Sequence, residues 1–367
     1  MQWSPQQAEA LKSVAQWLSA RDPQVFRLFG FAGTGKTTLA RHIAESEGGT
    51  VAFAAFTGKA ALVMRARGCE GARTIHSLIY KPKSLEDEEP TFVLNEDAPA
   101  ANASLIIVDE CSMVDDELGR DLLSFGKKVL VLGDPAQLPP IRGGGFFTAS
   151  EPDVMLTEVH RQARDNPIIR LSMAVRNGET LQRGTYGDTR IIARSELEPA
   201  TVTNADQVLV GKNKTRHAYN RRLRELRGIT APMPQVTDKL VCLRNDSKKG
   251  LLNGGLWIVQ KLLAPRGKYL RFQVMPEDDS SSKGQRINVL PQFFNGSGEE
   301  IPFALRRNSD EFDYGYALTV HKAQGSQWDD LVLFDESFAF REHRDRWLYT
   351  GITRAAKTLT LVVGPQA

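Results

Sequence analysis

Val25-Phe26-Arg27-Leu28-Phe29-Gly30-Phe31-Ala32-Gly33-Thr34-Gly35-Lys36-Thr37-Thr38 runs from an apolar strand through a glycine-rich turn into a helix-forming segment. Gly30–Thr37 fits G-x-x-x-x-G-K-[ST], in the setting that pattern requires: after a strand and at the head of a helix. Gly33 and Gly35 let the backbone wrap a phosphate, and the N–H groups at the helix start, from Thr34 to Thr38, point at it. Lys36 supplies charge to the β- and γ-phosphates, and the Thr37 hydroxyl is a ligand for Mg²⁺.

A second stretch supports this reading. Leu105-Ile106-Ile107-Val108-Asp109-Glu110 is a hydrophobic strand ending in two acids. Asp109 sits where a strand-end carboxylate completes a Mg²⁺ shell, and Glu110 is placed to polarise an attacking water. Acids at this position also cap helices. A third strand ends in Gly133-Asp134-Pro135-Ala136-Gln137, where Gln137 senses a γ-phosphate or holds the water. Together the stretches imply a nucleoside triphosphate hydrolase.

Around these sites, apolar runs alternate with helical segments. Val25–Phe29, Val51–Phe56, Leu105–Val108, Val129–Leu132 and Val154–Leu156 read as buried strands, and the pattern returns at Val208–Val210, Ala317–Val320, Leu331–Phe334 and Leu359–Val363. This alternation predicts two α/β domains with parallel sheets. Two segments break it. Residues 81–100 are acidic and Pro-punctuated, a surface insertion. Residues 255–310 alternate like β-strands between turn-rich segments, which predicts a small all-β module.

Composition narrows the function. The 367 residues hold 47 Lys+Arg against 44 Asp+Glu, so nucleic-acid binding has to come from local patches rather than bulk charge. Cys69, Cys111 and Cys242 form no C-x-x-C pair, which argues against a disulfide framework or a cysteine zinc site and for a reducing, intracellular setting. The N-terminus carries no signal-peptide pattern, and no apolar run approaches the ~20 residues that span a bilayer.

The ordered set Gly30–Thr37, Phe56–Ala61, Thr74–Leu78, Asp109–Met113, Gly133–Pro140, His160–Gln162, Ala317–Ser326 and Tyr349–Arg354 resembles superfamily 1B DNA helicases of the RecD/Dda-like kind, over most of the chain. The resemblance implies two RecA-like P-loop NTPase domains. Domain 1A spans residues 1–150 with a hairpin insert (1B) at about 81–100. Domain 2A spans 151–254 and 311–367, interrupted by an SH3-like β-barrel (2B) at 255–310. It also implies ATP between 1A and 2A, single-stranded DNA across both, and 5′-to-3′ movement. Gln7 of Ser4-x-x-Gln7 would read the adenine, although Ser4 with Pro5 is also an ordinary helix start. Arg161 and Arg354 would reach the γ-phosphate, and Gly325 belongs to the nucleotide-binding set. Related proteins often carry Glu two residues after that glycine to meet the ribose. Here the residue is Gln327, an uncharged partner for a hydroxyl.

Thr57, Thr74, Ser77 and Thr319 offer hydroxyls to the phosphates of a single strand, Lys59 and Lys322 charge, and His76 and His321 a hydrogen bond or a stacking ring, with Gly58 in the same nucleic-acid-binding set. Each taken alone is also an ordinary loop or cap residue. The basic segment Lys212–Arg227 reads either as a solvated face or as a phosphate-tracking helix around Asn213. Phe92 is either a strand-separating wedge or a packing residue. Trp257, Phe272, Phe293 and Phe294 read as the core of the β module. The expected ligands are ATP, Mg²⁺, single-stranded DNA and single-strand/duplex junctions. A single-strand-binding protein or replisome components are further expected partners. A cytoplasmic monomer in a bacterial or phage-infected cell is expected. A protein-displacing translocase, an ATP-gated nucleic-acid clamp and an RNA helicase remain competing readings.

Overall fold

The computed structural model describes residues 3–82, 92–139, 145–158, 165–246, 248–278 and 284–364. The chain divides into two compact units, Met1–Thr180 with Asp345–Thr353, and Leu181–Arg344 with Arg354–Ala367.

The strands of the first unit are β1 (Val25–Gly30), β2 (Val51–Ala55), β3 (Arg73–Thr74), β4 (Tyr80–Pro82), β5 (Phe92–Leu94), β6 (Leu105–Asp109), β7 (Lys128–Gly133) and β8 (Val154–Leu156). Six of them make one sheet in the order β3-β2-β6-β7-β1-β8, every neighbouring pair parallel. Both faces are covered, which is why the strands read as unbroken apolar runs. Along β7, Leu130 and Leu132 join Leu28 and Ile107 in one core, packed by Ala10, Val14, Leu39 and Met64 from helices Pro5–Ser19, Lys36–Ser46 and Gly58–Ala66. Val129 and Val131 point the other way, into a core with Phe29, Ile106, Leu78 and Leu118. β8 pairs with β1, Leu28 beside Val154, so the first unit runs past the boundary expected at 150. β4 and β5 pair antiparallel, Tyr80 beside Leu94; residues 83–91 of the expected insertion lie outside the described ones.

The second unit holds β9 (Gly184–Tyr186), β10 (Thr189–Ala193), β11 (Gln207–Val210), β12 (Lys239–Cys242), β13 (Leu256–Arg266), β14 (Tyr269–Pro276), β15 (Gln285–Val289), β16 (Phe312–Tyr314), β17 (Ala317–Thr319), β18 (Trp328–Phe334) and β19 (Ala355–Val363). One sheet runs β17-β11-β18-β19-β10-β9, parallel except for the hairpin of β9 on β10. The other is antiparallel, β15-β14-β13-β12-β16. Among the described residues its two edges approach at one bridge, between Val289 and Asp310, where Asp310 N donates to Asn288 O at 2.8 Å. Trp257, Phe272, Phe293 and Phe294 are all buried in its core.

This β module is wider than the expected 255–310, because β12 and β16 belong to it. Both carry buried charges that blur the strand pattern. Lys239 of β12 reaches Asp206 O at 2.6 Å and Glu277 at 2.7 Å, and Asp313 of β16 accepts from Arg216 at 2.7 Å.

The basic segment is a helix, Asn213–Leu226, but two of its arginines serve the fold. Arg216 is buried on Asp313, and Arg224 makes a two-pronged pair with Asp238, 2.9 Å on each side. The helix start is also taken: Glu336 accepts from Gly211 N at 2.6 Å, Lys212 N at 3.1 Å and Thr215 Oγ1 at 2.7 Å. Of the two readings of this segment, ion pairing within the protein accounts for these two side chains.

Cys69, Cys111 and Cys242 are free and buried. Burial pushes the Cys242 thiol up to about 12, which leaves it an inert apolar group. Among the described residues, no helix is long and apolar enough to cross a membrane.

Candidate functional site

The carboxyl ends of β1, β6 and β7 are neighbours in the first sheet, and ligands of open parallel sheets bind at that edge. β1 feeds the glycine loop. Gly33 and Gly35 take φ of 79° and 84°, left-handed values that side chains disfavour. Gly30 is needed for space, since a Cβ there would stand 2.6 Å from Thr34 Oγ1 and 2.8 Å from Leu156 Cβ. Helix Lys36–Ser46 follows directly, and Thr37 and Thr38 lie in its first turn. Lys36 Nζ donates to Gly30 O at 2.6 Å and Phe31 O at 3.0 Å, so the ammonium is held within the loop.

β6 delivers Asp109, whose Oδ2 accepts from Thr37 Oγ1 at 3.1 Å. The strand-end carboxylate and the helix-start hydroxyl therefore meet at one point, though 72 residues separate them. Glu110 follows with φ of 55°, an uncommon conformation for a side-chain-bearing residue, and its N–H donates to Asp109 Oδ1 at 2.8 Å.

β7 leads to Asp134 and Gln137, both buried. Gln137 Oε1 has no hydrogen-bond partner among the described residues. An orphaned buried carbonyl is costly unless something else fills its place.

Gln7 is 3% exposed. It forms a capping box with Ser4, and its Nε2 donates to Thr34 O at 3.1 Å, tying the first helix to the glycine loop. Two residues that sequence reasoning left unassigned also brace this loop. Tyr349 Oη accepts from Ala32 N at 3.1 Å, and the Arg176 guanidinium lies 3.6 Å over the Phe31 ring. Tyr349 stood inside a recognised stretch, but nothing in the sequence says which backbone group it meets.

Thr57 lies two residues past β2, and Thr74 ends the adjacent strand β3. Each accepts an N–H three residues on, Ala60 at 3.1 Å and Ser77 at 3.2 Å. Gly58 and Lys59 occupy the first turn after Thr57. The His76 ring lies 6.4 Å from Phe56 and 5.6 Å from Tyr80, and burial holds its pKa below the usual value. Phe92 is 55% exposed. It lines a cavity of about 290 Å³ with His76, Tyr80 and the acids Asp115, Glu117 and Asp121.

In the second unit, Thr319 ends β17 and accepts from Lys322 N at 3.3 Å. His321 packs on Phe340 at 5.4 Å, and its pKa is lowered by burial and by His343. Asn213 is exposed at the helix start. Gly325 has φ of 76°, and Arg354, 4% exposed, donates to Ser326 O at 3.3 Å. Arg161 lies outside the described residues.

A glycine loop on a parallel sheet, with a strand-end aspartate on the helix-start threonine, defines a P-loop nucleoside triphosphatase. The chain belongs to the AAA domain family, whose model matches residues 2–196, and residues 314–362 match the UvrD-like helicase C-terminal domain. It is a superfamily 1B member of the RecD/Dda-like kind. It is 31% identical to the ATP-dependent RecD2 DNA helicase of Deinococcus radiodurans, over 89% of this chain and 45% of that protein. It is 35% identical to the ATP-dependent DNA helicase dda of Enterobacteria phage T4, over 41% of this chain and 37% of that one. The chain thus spans less than half the length of these two relatives. The crystal structure of Bacteroides Pif1 bound to ssDNA shares the fold, with a TM-score of 0.60 at 20% identity over 98% of this chain and 92% of that one. The α/β fold has the parallel sheets typical of RecA-like helicase domains.

Proposed function

We propose that the chain is an ATP-dependent 5′-to-3′ DNA helicase, which moves along single-stranded DNA and unwinds duplex. The observation that carries the reading is the Thr37 hydroxyl on the Asp109 carboxylate at the head of the glycine-loop helix. The names of the relatives, DNA helicases in RecD2 and dda, support a motor over a plain ATPase.

The loop N–H groups and Lys36 bind the phosphates, and Gln7 meets the adenine. Thr37 and Asp109 fit Mg²⁺: a hydroxyl and a carboxylate at one point, both hard oxygen donors. When bound, that ion neutralises charge on the phosphate oxygens. Glu110 takes the proton of the attacking water, and Gln137 orients that water with its orphaned Oε1. Arg354 and Arg161 stabilise the charge that develops on the transferred phosphoryl group. Thr57, Gly58, Lys59, Thr74, His76, Asn213, Thr319, His321 and Lys322 hold the strand, and Phe92 parts the duplex. The antiparallel module, with its edges joined at Val289 and Asp310, acts as an SH3-like barrel.

The test is unwinding of one duplex carrying a single-stranded tail on the 5′ or the 3′ side, with Lys36→Ala as control. Unwinding from the 5′ tail alone, abolished in the control, is expected. Unwinding from the 3′ tail alone overturns the direction. Strong single-strand-stimulated ATP hydrolysis without unwinding favours a translocase.

A further inference from the structure

We propose that Phe338 is a base-stacking platform for single-stranded nucleic acid on the second unit, an inference that rests on the nucleic-acid reading above. Phe338 is 66% exposed, the highest value among the exposed large hydrophobic residues described. No packing role within the fold accounts for that exposure. Its place in the sheet supplies a role. β17, β11 and β18 are consecutive parallel strands, with Val210 beside Thr319 and Leu209 beside Leu333. Their carboxyl ends therefore lie on one edge. β17 leads to His321 and Lys322, β11 to Lys212 and Asn213, and β18 to Phe338 and Phe340.

The contacts join these ends. Lys212 Nζ lies 5.2 Å over the Phe338 ring, and His321 packs on Phe340 at 5.4 Å. The two acids nearest in sequence, both half-buried, accept hydrogen bonds from the protein. Glu336 holds the helix start, and Asp335 accepts from Ser337 N at 2.9 Å. What the edge presents is a largely exposed ring beside the Lys212 ammonium. That combination suits a single strand, whose bases stack while its phosphates meet the cations. A protein partner is less well served, since the other exposed large apolar residues of this unit, Val236, Leu262 and Leu305, lie on or beside the antiparallel module and not on this edge.

The experiment is a fluorescence-anisotropy titration without nucleotide. The probes are a labelled oligothymidine and a strand of equal length whose sugars carry no bases. Phe338→Ala is expected to weaken oligothymidine binding by roughly 5- to 150-fold, the range of one lost stack, and to leave the baseless strand unchanged. Phe338→Trp should restore binding. Phe338→Leu, which keeps apolar bulk without a ring face, should bind as poorly as Phe338→Ala and covers the case in which the alanine variant fails to fold. Oligothymidine binding by Phe338→Leu equal to wild type overturns the platform, as does an equal loss on both probes. Wild-type protein that binds neither strand overturns the nucleic-acid reading itself, and the platform with it.

Discussion

The Tyr349 hydroxyl donates to the Asp134 carboxylate at 2.5 Å. The same oxygen accepts from Ala32 N at 3.1 Å. One buried hydroxyl therefore links the glycine loop to the residue just beyond β7. Burial and the Asp134 charge push its ionisation well above the ordinary tyrosine value, so it stays a donor throughout the working pH range.

Tyr349→Phe removes both bonds without changing the ring. The buried Asp134 Oδ2 loses this donor, a loss of about 1.5–3 kcal/mol for a hydrogen bond to a charged group. Nucleotide turnover should fall more than apparent nucleotide affinity, because the loop keeps its glycines and Lys36. Denaturant unfolding and steady-state ATP hydrolysis check the two parts, and a variant equal to wild type in both makes the bridge incidental.

Gly30→Ala puts a methyl group into space held by Thr34 and Leu156. Overpacking of this kind costs about 1–3 kcal/mol. Because Thr34 belongs to the loop, the strain should appear in nucleotide binding as well as stability. Titration with a fluorescent nucleotide analogue is the measurement, and unaltered affinity would show that the loop yields without cost.

Asp238 accepts from both arms of Arg224, from Tyr316 Oη at 3.0 Å and from Gln235 N at 2.7 Å. Asp238→Ala strands a buried guanidinium, and breaking such a pair costs about 3–5 kcal/mol. Arg224→Met should lower stability but leave the salt dependence of single-strand binding unchanged, since a residue paired inside releases no counterions. A salt slope that falls by about one in this variant would return Arg224 to the phosphate-tracking role.

His321 has a folded pKa below the unfolded value of about 6.5, lowered by burial first and His343 second. The unfolded chain therefore binds more protons as pH falls through that value, and stability declines with it. The contribution is fully present above about pH 6.5. His321→Asn should flatten the decline between neutral and mildly acidic pH, as read by thermal midpoints. An unchanged slope would assign the decline to other groups.

The sequence by itself determined the glycine loop, the helix that follows it and the strand that ends in Asp109. Gly33, Gly35, Lys36, Thr37 and Asp109 were legible because a phosphate cradle needs special residues at fixed local spacing, and a buried parallel strand announces itself as an apolar run. The same local logic found β1, β2, β6, β7 and β8 and the aromatic core of the β module. It lost β12 and β16, where Lys239 and Asp313 are buried charges whose partners lie far along the chain.

Only the tertiary structure decided which polar residues serve the fold. Lys212–Arg227 reads as one basic stripe, yet Arg216 and Arg224 are turned inward by Asp313 and Asp238, whereas Lys212 remains at the sheet edge over Phe338. Tyr349 finds Asp134 from 215 residues away. Local spacing governs backbone conformation and loop chemistry, whereas the partner of a charge or a hydroxyl is set by which distant strands the packed sheets bring side by side.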